Sequence, residues 1–498
     1  MKTIRRLFFI AIIVGAASSP LTRAQSTQSQ NNPTWWDKFL FLSKNGSDPA
    51  PGGSTSTSAG DNVDVSAECG PQSETFITLN PARPRMLAAG SNEIFRDPMR
   101  GYFSSDGGAT WGGVDLPLPP PRQGTNDHRF GSDPSLAFDT LGNVYYSYIV
   151  VFFGNGSGVN GTEMAVARST DGGRSYPAAT FFSFETGSSR FNDKPMITAD
   201  ISKTSPFRDA VYVAWDAAVG GTVGGGVRVG RSFDQGASFS VGRADDPKGP
   251  GKAIGAVPFV GPGGEVYVAW NDFKANTIAF NRSFDGAATW GAPGVIAAKS
   301  IPFDIGIPAE SFRGALVYPA CDADRSSGPH RGRLYCSWLD LNDDGVTTGI
   351  KLSLSDDRGA SWSAPAPVGD RVAAVDRFNQ WLSVDPVTGQ VTVAFYDTRN
   401  DTTGSRFQTD YYLARSADGV TWAADTRVSD VSSNEHDCDG TFPCVAINYG
   451  NQQGDYEGLV SFGGVSHPIW TDSRRQLEPA SGCRRPFLME EVFTAAVR

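Results

Sequence analysis

The stretch SSDGGATW at 104–111 returns as STDGGRSY at 169–176, SFDQGASF at 232–239, SFDGAATW at 283–290 and SDDRGASW at 355–362, and once more, one residue shorter, as SADGVTW at 416–422. The shared skeleton is Ser-x-Asp-x-Gly-x-x-aromatic, with first serines 65, 63, 51, 72 and 61 residues apart. A period of that size marks a repeat architecture in which each unit is one supersecondary element. The phrase itself reads as a hairpin turn. An Asp side chain accepts hydrogen bonds from backbone N–H groups just ahead of it, Gly takes the positive φ such a turn needs, Ser adds a local bond, and the aromatic buries about 150–250 Å².

Upstream of each turn lies a run with strand chemistry: VYYSYIV at 144–150, VYVAWDA at 211–217, VYVAWND at 266–272, LYCSWLD at 334–340 and VTVAFYD at 391–397. These β-branched and aromatic runs are nearly continuous in apolar character, as suits a strand packed on both faces. MLAAGSN at 86–92 and HPIWTDSR at 467–474 are weaker copies, giving seven units and six turns. The seventh unit ends in EEVFTAAVR, a strand that stops at the C-terminus, and SETFITLN at 73–80 is expected to complete that last unit. The reading is all-β: a single β-propeller of four-stranded antiparallel blades, seven with six as the alternative, closed by strands from both termini so that no edge is exposed.

Recurring in register six times, the turn resembles the Asp-box, or BNR repeat, of the sialidase superfamily, with Ala287 in place of the usual Gly and a short sixth copy. In that family the boxes lie on the rim, so Asp106, Asp171, Asp234, Asp285, Asp357 and Asp418 are expected to be structural. The resemblance covers about residues 69–498. It implies a carbohydrate-active protein, of exo-alpha-sialidase type if an enzyme, acting on sialylated or other acidic glycans. A propeller that only binds glycan or protein is the alternative, and a lyase or endo-acting hydrolase a third.

Composition narrows the partners. Net charge is −10 with no basic tract, which argues against nucleic acid or an anionic membrane surface. Residues 1–24 read as a secretory signal: Lys2, Arg5 and Arg6 precede the apolar run 7–17, too short for a membrane span, and Thr22-Arg23-Ala24 offers small residues for cleavage. A secreted or periplasmic monomer is expected. Residues 25–65 read as a Ser/Gly/Pro-rich linker interrupted by TWWDKFLFL at 34–42, a packing segment or a sugar-stacking platform, with the propeller over 66–498. Six Cys in an exported chain allow three pairs. Proximity suggests Cys438–Cys444 and a cross-hairpin Cys321–Cys336, leaving Cys69 and Cys483 to tie the first strand to the last unit.

Propeller sites gather where segments enter the inner strands. Here those segments are HRFGSDPSLAFD (128–139), SRFNDKPMITAD (189–200), SFRGALVYPACD (311–322), DRFNQWLSVDP (376–386) and GDYEGLVSF (454–462). Asp133, Asp193, Arg313, Gln380 and Asp455 fall at similar points, and Arg129, Arg190, Arg313 and Arg377 each adjoin a Phe or lie beside one. Guanidinium forks bind carboxylate bidentately while carboxylates supply acid–base work, the composition an acidic sugar wants. The resemblance implies three Arg gripping the substrate, a Tyr–Glu nucleophile pair and an Asp acid. The candidates are Asp133 and Asp193 for the acid and the adjacent Tyr456 and Glu457 for the pair, with Tyr396, Tyr411 and Tyr412 as other tyrosines. Arg129, Arg190, Arg313, Arg377 and Asp455 are candidates for substrate binding. The chain departs from the family at its Arg-Ile-Pro motif, whose nearest match, Phe95-Arg96-Asp97-Pro98, has Asp for Ile and lies just before the first box. No cofactor is required, although Asp340, Asn342 and Asp344 match the opening of a calcium loop with Lys351 at position twelve, where Glu belongs. A plain hairpin turn is the other reading. Four His without ligand spacing do not indicate zinc.

Overall fold

The computed structural model describes residues 33–48, 57–59, 62–122, 125–154, 159–186, 191–217, 226–246, 252–311, 313–436, 453–476, 478 and 490–498. Seven antiparallel sheets form the blades of a propeller. Their innermost strands are Gln72–Asn80, Thr125–Phe138, Asp193–Ala199, Ala253–Val260, Ala320–Ala323, Arg377–Val384 and Gly458–Phe462. Each packs against the next, and the seventh against the first, so the ring is closed. The apolar runs of the repeat are the second strands, buried on both faces, with Tyr148, Trp215, Trp270, Trp338, Phe395 and Trp470 at equivalent positions between blades.

The repeated turn joins the third strand to the fourth, and its first serine pairs with the first residue of the apolar run in five copies, Val144 with Ser169, Val211 with Ser232, Val266 with Ser283, Leu334 with Ser355 and Val391 with Ser416, and with the second, Leu87 with Ser104, in the first blade. In the first copy Asp106 accepts from the N–H groups of Ala109 and Thr110, both at 3.0 Å, and from the Thr110 hydroxyl at 2.6 Å, while Ser104 Oγ accepts from Gly108 N at 2.9 Å. The next four copies place Ser175, Ser238, Thr289 and Ser361 where Thr110 stands, and in the short sixth copy Asp418 accepts from the N–H groups of Val420 and Thr421, both at 2.8 Å. Those hydrogen bonds hold the Asp234, Asp285 and Asp357 carboxyls down at about 2. Ala287 adopts φ 63° where Gly108 has 88°.

Ring closure uses both termini, as expected, but with a different N-terminal strand. In the last sheet Glu491–Thr494 pairs with Val465–Asp472 on one side and with Asn62–Asp64 on the other, and Thr57–Ala59 lies outermost. SETFITLN instead lies in the innermost strand of the first blade. It is buried at every position, as an axial strand is, whereas the short segment over 62–64, assigned to the linker from composition, lies between Glu491–Thr494 and the outermost strand.

The TWWDKFLFL segment is a helix, Pro33–Asn45, opened by Pro at its first position. Trp35, Phe39 and Leu42 form its buried stripe, and Phe39 stacks on Phe153 of the second blade with centroids 4.4 Å apart. Among the described residues no helix is long and apolar enough to cross a membrane. The Cys321–Cys336 disulfide joins directly paired residues of the fifth blade. Cys69 is also disulfide-bonded, and no described cysteine is free. Cys438, Cys444 and Cys483 lie outside the described residues, as do residues 1–24.

Candidate functional site at the propeller axis

Five innermost strands carry the same β-bulge, between Ser73 and Phe76, Ser132 and Ser135, Asp193 and Met196, Ile254 and Val257, and Phe378 and Trp381. The second residue of each bulge has positive φ: Glu74 at 55°, Asp133 at 61°, Lys194 at 48°, Gly255 at 70° and Asn379 at 46°. Side chains other than Gly pay to stand there, and bulges re-aim side chains at functional sites. Each lies six residues before the residue that opens the first turn of its blade, namely Asn80, Asp139, Asp200, Gly261 and Asp385; Tyr318 stands six before Asp324 in the fifth blade. The bulges are at the end of the inner strands opposite the repeated turns. Long blade-to-blade segments at that end bring in Arg313, Tyr318, Asp455 and Tyr456.

A ring of hydrogen bonds links blade to blade at this level. Asn92 donates to Glu74 Oε2 at 2.7 Å, and its Oδ1 accepts from Asp133 N at 2.8 Å. Asp133 Oδ2 accepts from Lys194 N at 3.0 Å, and Asp216 Oδ2 accepts from Gly255 N at 2.6 Å. Gln380 donates to Tyr318 O at 2.7 Å and Asn379 to Gly454 O at 3.0 Å. The N-terminal helix joins in: Trp35 Nε1 donates to Ser132 Oγ at 3.2 Å, and Ser132 Oγ donates to Asp133 Oδ1 at 2.6 Å.

Inside this ring Arg313 Nε donates to Asp455 Oδ1 at 2.7 Å with Nη2 on the same oxygen, and Tyr318 OH donates to Asp455 Oδ2 at 3.1 Å. Lys194 Nζ lies 3.4 Å from the centroid of the Tyr456 ring and 4.0 Å from that of Tyr318. Because Lys194 belongs to the third blade and those tyrosines to the seventh and fifth units, its side chain reaches across the axis.

Burial dominates the electrostatics. It pushes the Glu74 carboxyl well up, with Asp455 and Asp133 adding like charge. It does the same to Asp193, which also shares a hydrogen bond with Asp133. In both, burial favours the neutral form of the carboxyl. Lys194 is lowered to about 8 by burial, against the pull of nearby carboxylates. Burial works against the Arg313 charge too, but the Asp455 carboxylate beside it more than offsets this.

Asp133, Asp193, Arg313, Asp455 and Tyr456 are thus brought together at the axis, although the Tyr456 hydroxyl donates away from it, to Pro134 O at 2.9 Å. The other sequence candidates lie elsewhere. Glu457 is a buried node between the sixth, seventh and first blades, accepting from Tyr396 OH at 2.8 Å, Thr471 N at 3.0 Å and the Thr75 hydroxyl. Arg377 is saturated away from the axis, by Asp397 at 2.8 Å and Asp425 at 3.1 Å of its own blade and by the carbonyls of Val368 and Asp370 at the outer edge of the fifth, both at 2.9 Å. Arg129 Nε donates to Pro119 O at 2.7 Å, and Arg190 is outside the described residues.

The calcium-loop match forms a hairpin turn. Asp344 Oδ1 accepts from Val346 N and Thr347 N, both at 2.9 Å, Asn342 donates to Thr347 Oγ1 at 3.0 Å, and Asp340 Oδ1 accepts from Ser300 N at 2.9 Å. Among the described residues no group of three or more His, Cys, Asp or Glu is arranged to hold a metal ion. Glu74, Lys194 and Tyr318 escaped sequence reasoning. The signal that finds them is a residue placed six before the Asn or Asp of the first turn, which recurs beneath the more conspicuous Arg-Phe pattern.

No protein-family model and no curated protein sequence matches the chain. Among solved structures it is similar to a leech intramolecular trans-sialidase, at 13% identity over 66% of this chain and 65% of that one, with a TM-score of 0.46. The match thus spans just under two thirds of the leech enzyme's length. The NanB sialidase of Streptococcus pneumoniae matches at 11% identity over 75% and 70%, TM-score 0.47. A Dyadobacter fermentans protein of unknown function matches at 13% over 76% and 97%, TM-score 0.44.

Proposed function

We propose that the chain is an exported, carbohydrate-active propeller, that its six turns are Asp boxes of the sialidase superfamily, and that the axial bulge ring is its site for acidic glycans. The observation that carries the reading is the ring itself: acidic and basic side chains aimed at one axis from repeated bulges, four of whose five positive-φ positions carry a residue other than Gly, joined there by two tyrosines from the blade-to-blade segments. Asp193, whose neutral form is favoured by burial and by the neighbouring Asp133, is the candidate acid for a leaving oxygen. Tyr318, hydrogen-bonded to Asp455, is the candidate phenol nucleophile with Asp455 to receive its proton. Arg313 orients Asp455. The disulfide-bonded cysteines and the sequence of residues 1–24 support export. The engagement of Tyr456 OH by Pro134 and the placement of Glu457 away from the axis favour a second reading, a propeller that binds glycan without cleaving it.

The test is sugar release by the purified chain from a sialylated glycoprotein and from a uronate-containing polysaccharide. Release that disappears in Asp193→Asn, with folding intact, supports a hydrolase. Saturable binding without release selects the binding reading. Neither binding nor release removes the carbohydrate assignment.

A further inference from the structure

Resting on the carbohydrate reading, we infer that Lys194 is the residue that reads the negative charge of an acidic sugar at this axis, the role that the Arg-Phe pattern assigns to arginines. Among the cations expected to grip a carboxylate, Arg313 is committed to Asp455 and Arg377 to Asp397, Asp425 and two carbonyls. Lys194 differs. Its side chain is buried, with the residue only 2% exposed, yet Nζ has no hydrogen-bond partner. Burying an ammonium without an oxygen partner is costly, and the two tyrosine faces repay only part of that cost.

The carboxylates near it do not fill the gap. Asp455 is held by Arg313 and Tyr318, Asp133 by Ser132 and the N–H of Lys194, Glu74 by Asn92, and Asp216 by Gly255 N. The ammonium therefore sits on the axis between the Tyr318 and Tyr456 rings with its donors unspent. Those rings fix it laterally, so an entering oxyanion meets a positioned cation and not a flexible one.

The test is calorimetric titration of the purified chain with N-acetylneuraminate and with D-glucuronate, each against its own carboxamide. The wild type is expected to bind at least one acid tenfold or more tighter than its amide. Lys194→Met should erase that preference and leave amide affinity within about twofold, while Lys194→Arg should keep most of it. If Lys194→Met does not fold, the wild type still decides: affinity for the acid should fall as pH rises through about 8, with the amide unchanged. A preference that survives in Lys194→Met, an acid affinity flat between pH 6 and 10, or equal wild-type affinity for acid and amide overturns the inference and leaves the carbohydrate reading standing. Failure of the wild type to bind any of the four sugars, or larger sialylated and uronate glycans, defeats both.

Discussion

Asp216→Asn should make the protein more stable at alkaline pH and remove part of its pH dependence. Asp216 lies on the second strand of the third blade, directly paired with Asp193, and is 1% exposed. Its Oδ2 accepts from Gly255 N at 2.6 Å, and its Oδ1 is buried without a hydrogen bond. Burial pushes the carboxyl from 3.8 up to about 7, although backbone N–H groups of Gly255 and Ala256 favour the ionised form. Between those two pH values the folded chain holds a proton that the unfolded chain has released, so stability falls as pH rises. At about 1.4 kcal/mol per pH unit, the loss reaches about 4 kcal/mol by pH 8. Asparagine keeps an oxygen for Gly255 N and sets its amide where Oδ1 had no partner, so it forgoes only the titration. Denaturant unfolding of both proteins at pH 4 and pH 8 reads the effect together with the coupling of Asp216 to its paired neighbour Asp193. The stability of the variant relative to wild type should rise by about 3–4 kcal/mol between the two conditions. A relative stability that stays within about 1 kcal/mol across that range would refute the argument that burial controls this carboxyl.

Three further outcomes follow from the same geometry. Arg313→Ala strands Asp455 in a nearly buried site and should cost about 3–5 kcal/mol in unfolding free energy together with sugar binding. Arg377→Ala should cost a similar amount while leaving sugar binding per folded molecule unchanged, which separates the axis from the blade interior in a paired titration. Gly454 has φ 81°, and a Cβ there would fall 2.6 Å from Glu74 Cγ, so Gly454→Ala should weaken sugar binding tenfold or more by displacing the first-blade bulge, read by calorimetry. Trp35→Phe removes the donor to Ser132 and should cost about 1 kcal/mol, whereas Trp35→Ala, which empties the helix's anchor, should cost about 3–5 kcal/mol, both measured by thermal unfolding.

The fold was legible because its signal is local. A turn built from one Asp, one Ser and residues at positive φ carries its own hydrogen bonds within eight residues, so each of six copies declares itself in sequence, and the seven apolar strand runs set the blade count. The N-terminal closing strand was not legible. Asn62–Asp64 has linker-like neighbours and becomes a strand only because Glu491–Thr494 offers it an edge, a contact spanning more than 400 residues. The site was half legible for a similar reason. Arg-Phe pairs at the strand entrances look alike in sequence, but Arg313 reaches the axis while Arg377 turns outward between the fifth and sixth blades, and that choice is made by the carboxylates each side chain finds after folding. Lys194, flanked by Asp193 and Pro195, gives no local hint that it spans the ring.

The polar ring must also be asked whether it is only a staple between blades. Much of the stapling uses groups that any residue supplies: the N–H groups of Asp133, Lys194 and Gly255 are bonded to Asn92, Asp133 and Asp216, and the carbonyls of Tyr318 and Gly454 accept from Gln380 and Asn379. Gly255 shows that the bulge closes without a side chain. At Glu74 and Lys194, by contrast, a side chain is held at positive φ where Gly would save roughly 1 kcal/mol. Lys194→Gly should on that account preserve the bulge and its N–H bond to Asp133, and relieve the burial of an unpartnered ammonium as well. A stability equal to or above wild type, with the preference for acidic sugar gone, would mean that the fold has no need of the charge at this position and that the ligand has. A loss of several kcal/mol would mean instead that the ammonium is part of the ring's own balance of charge, set against the carboxylates of Glu74, Asp133, Asp216 and Asp455.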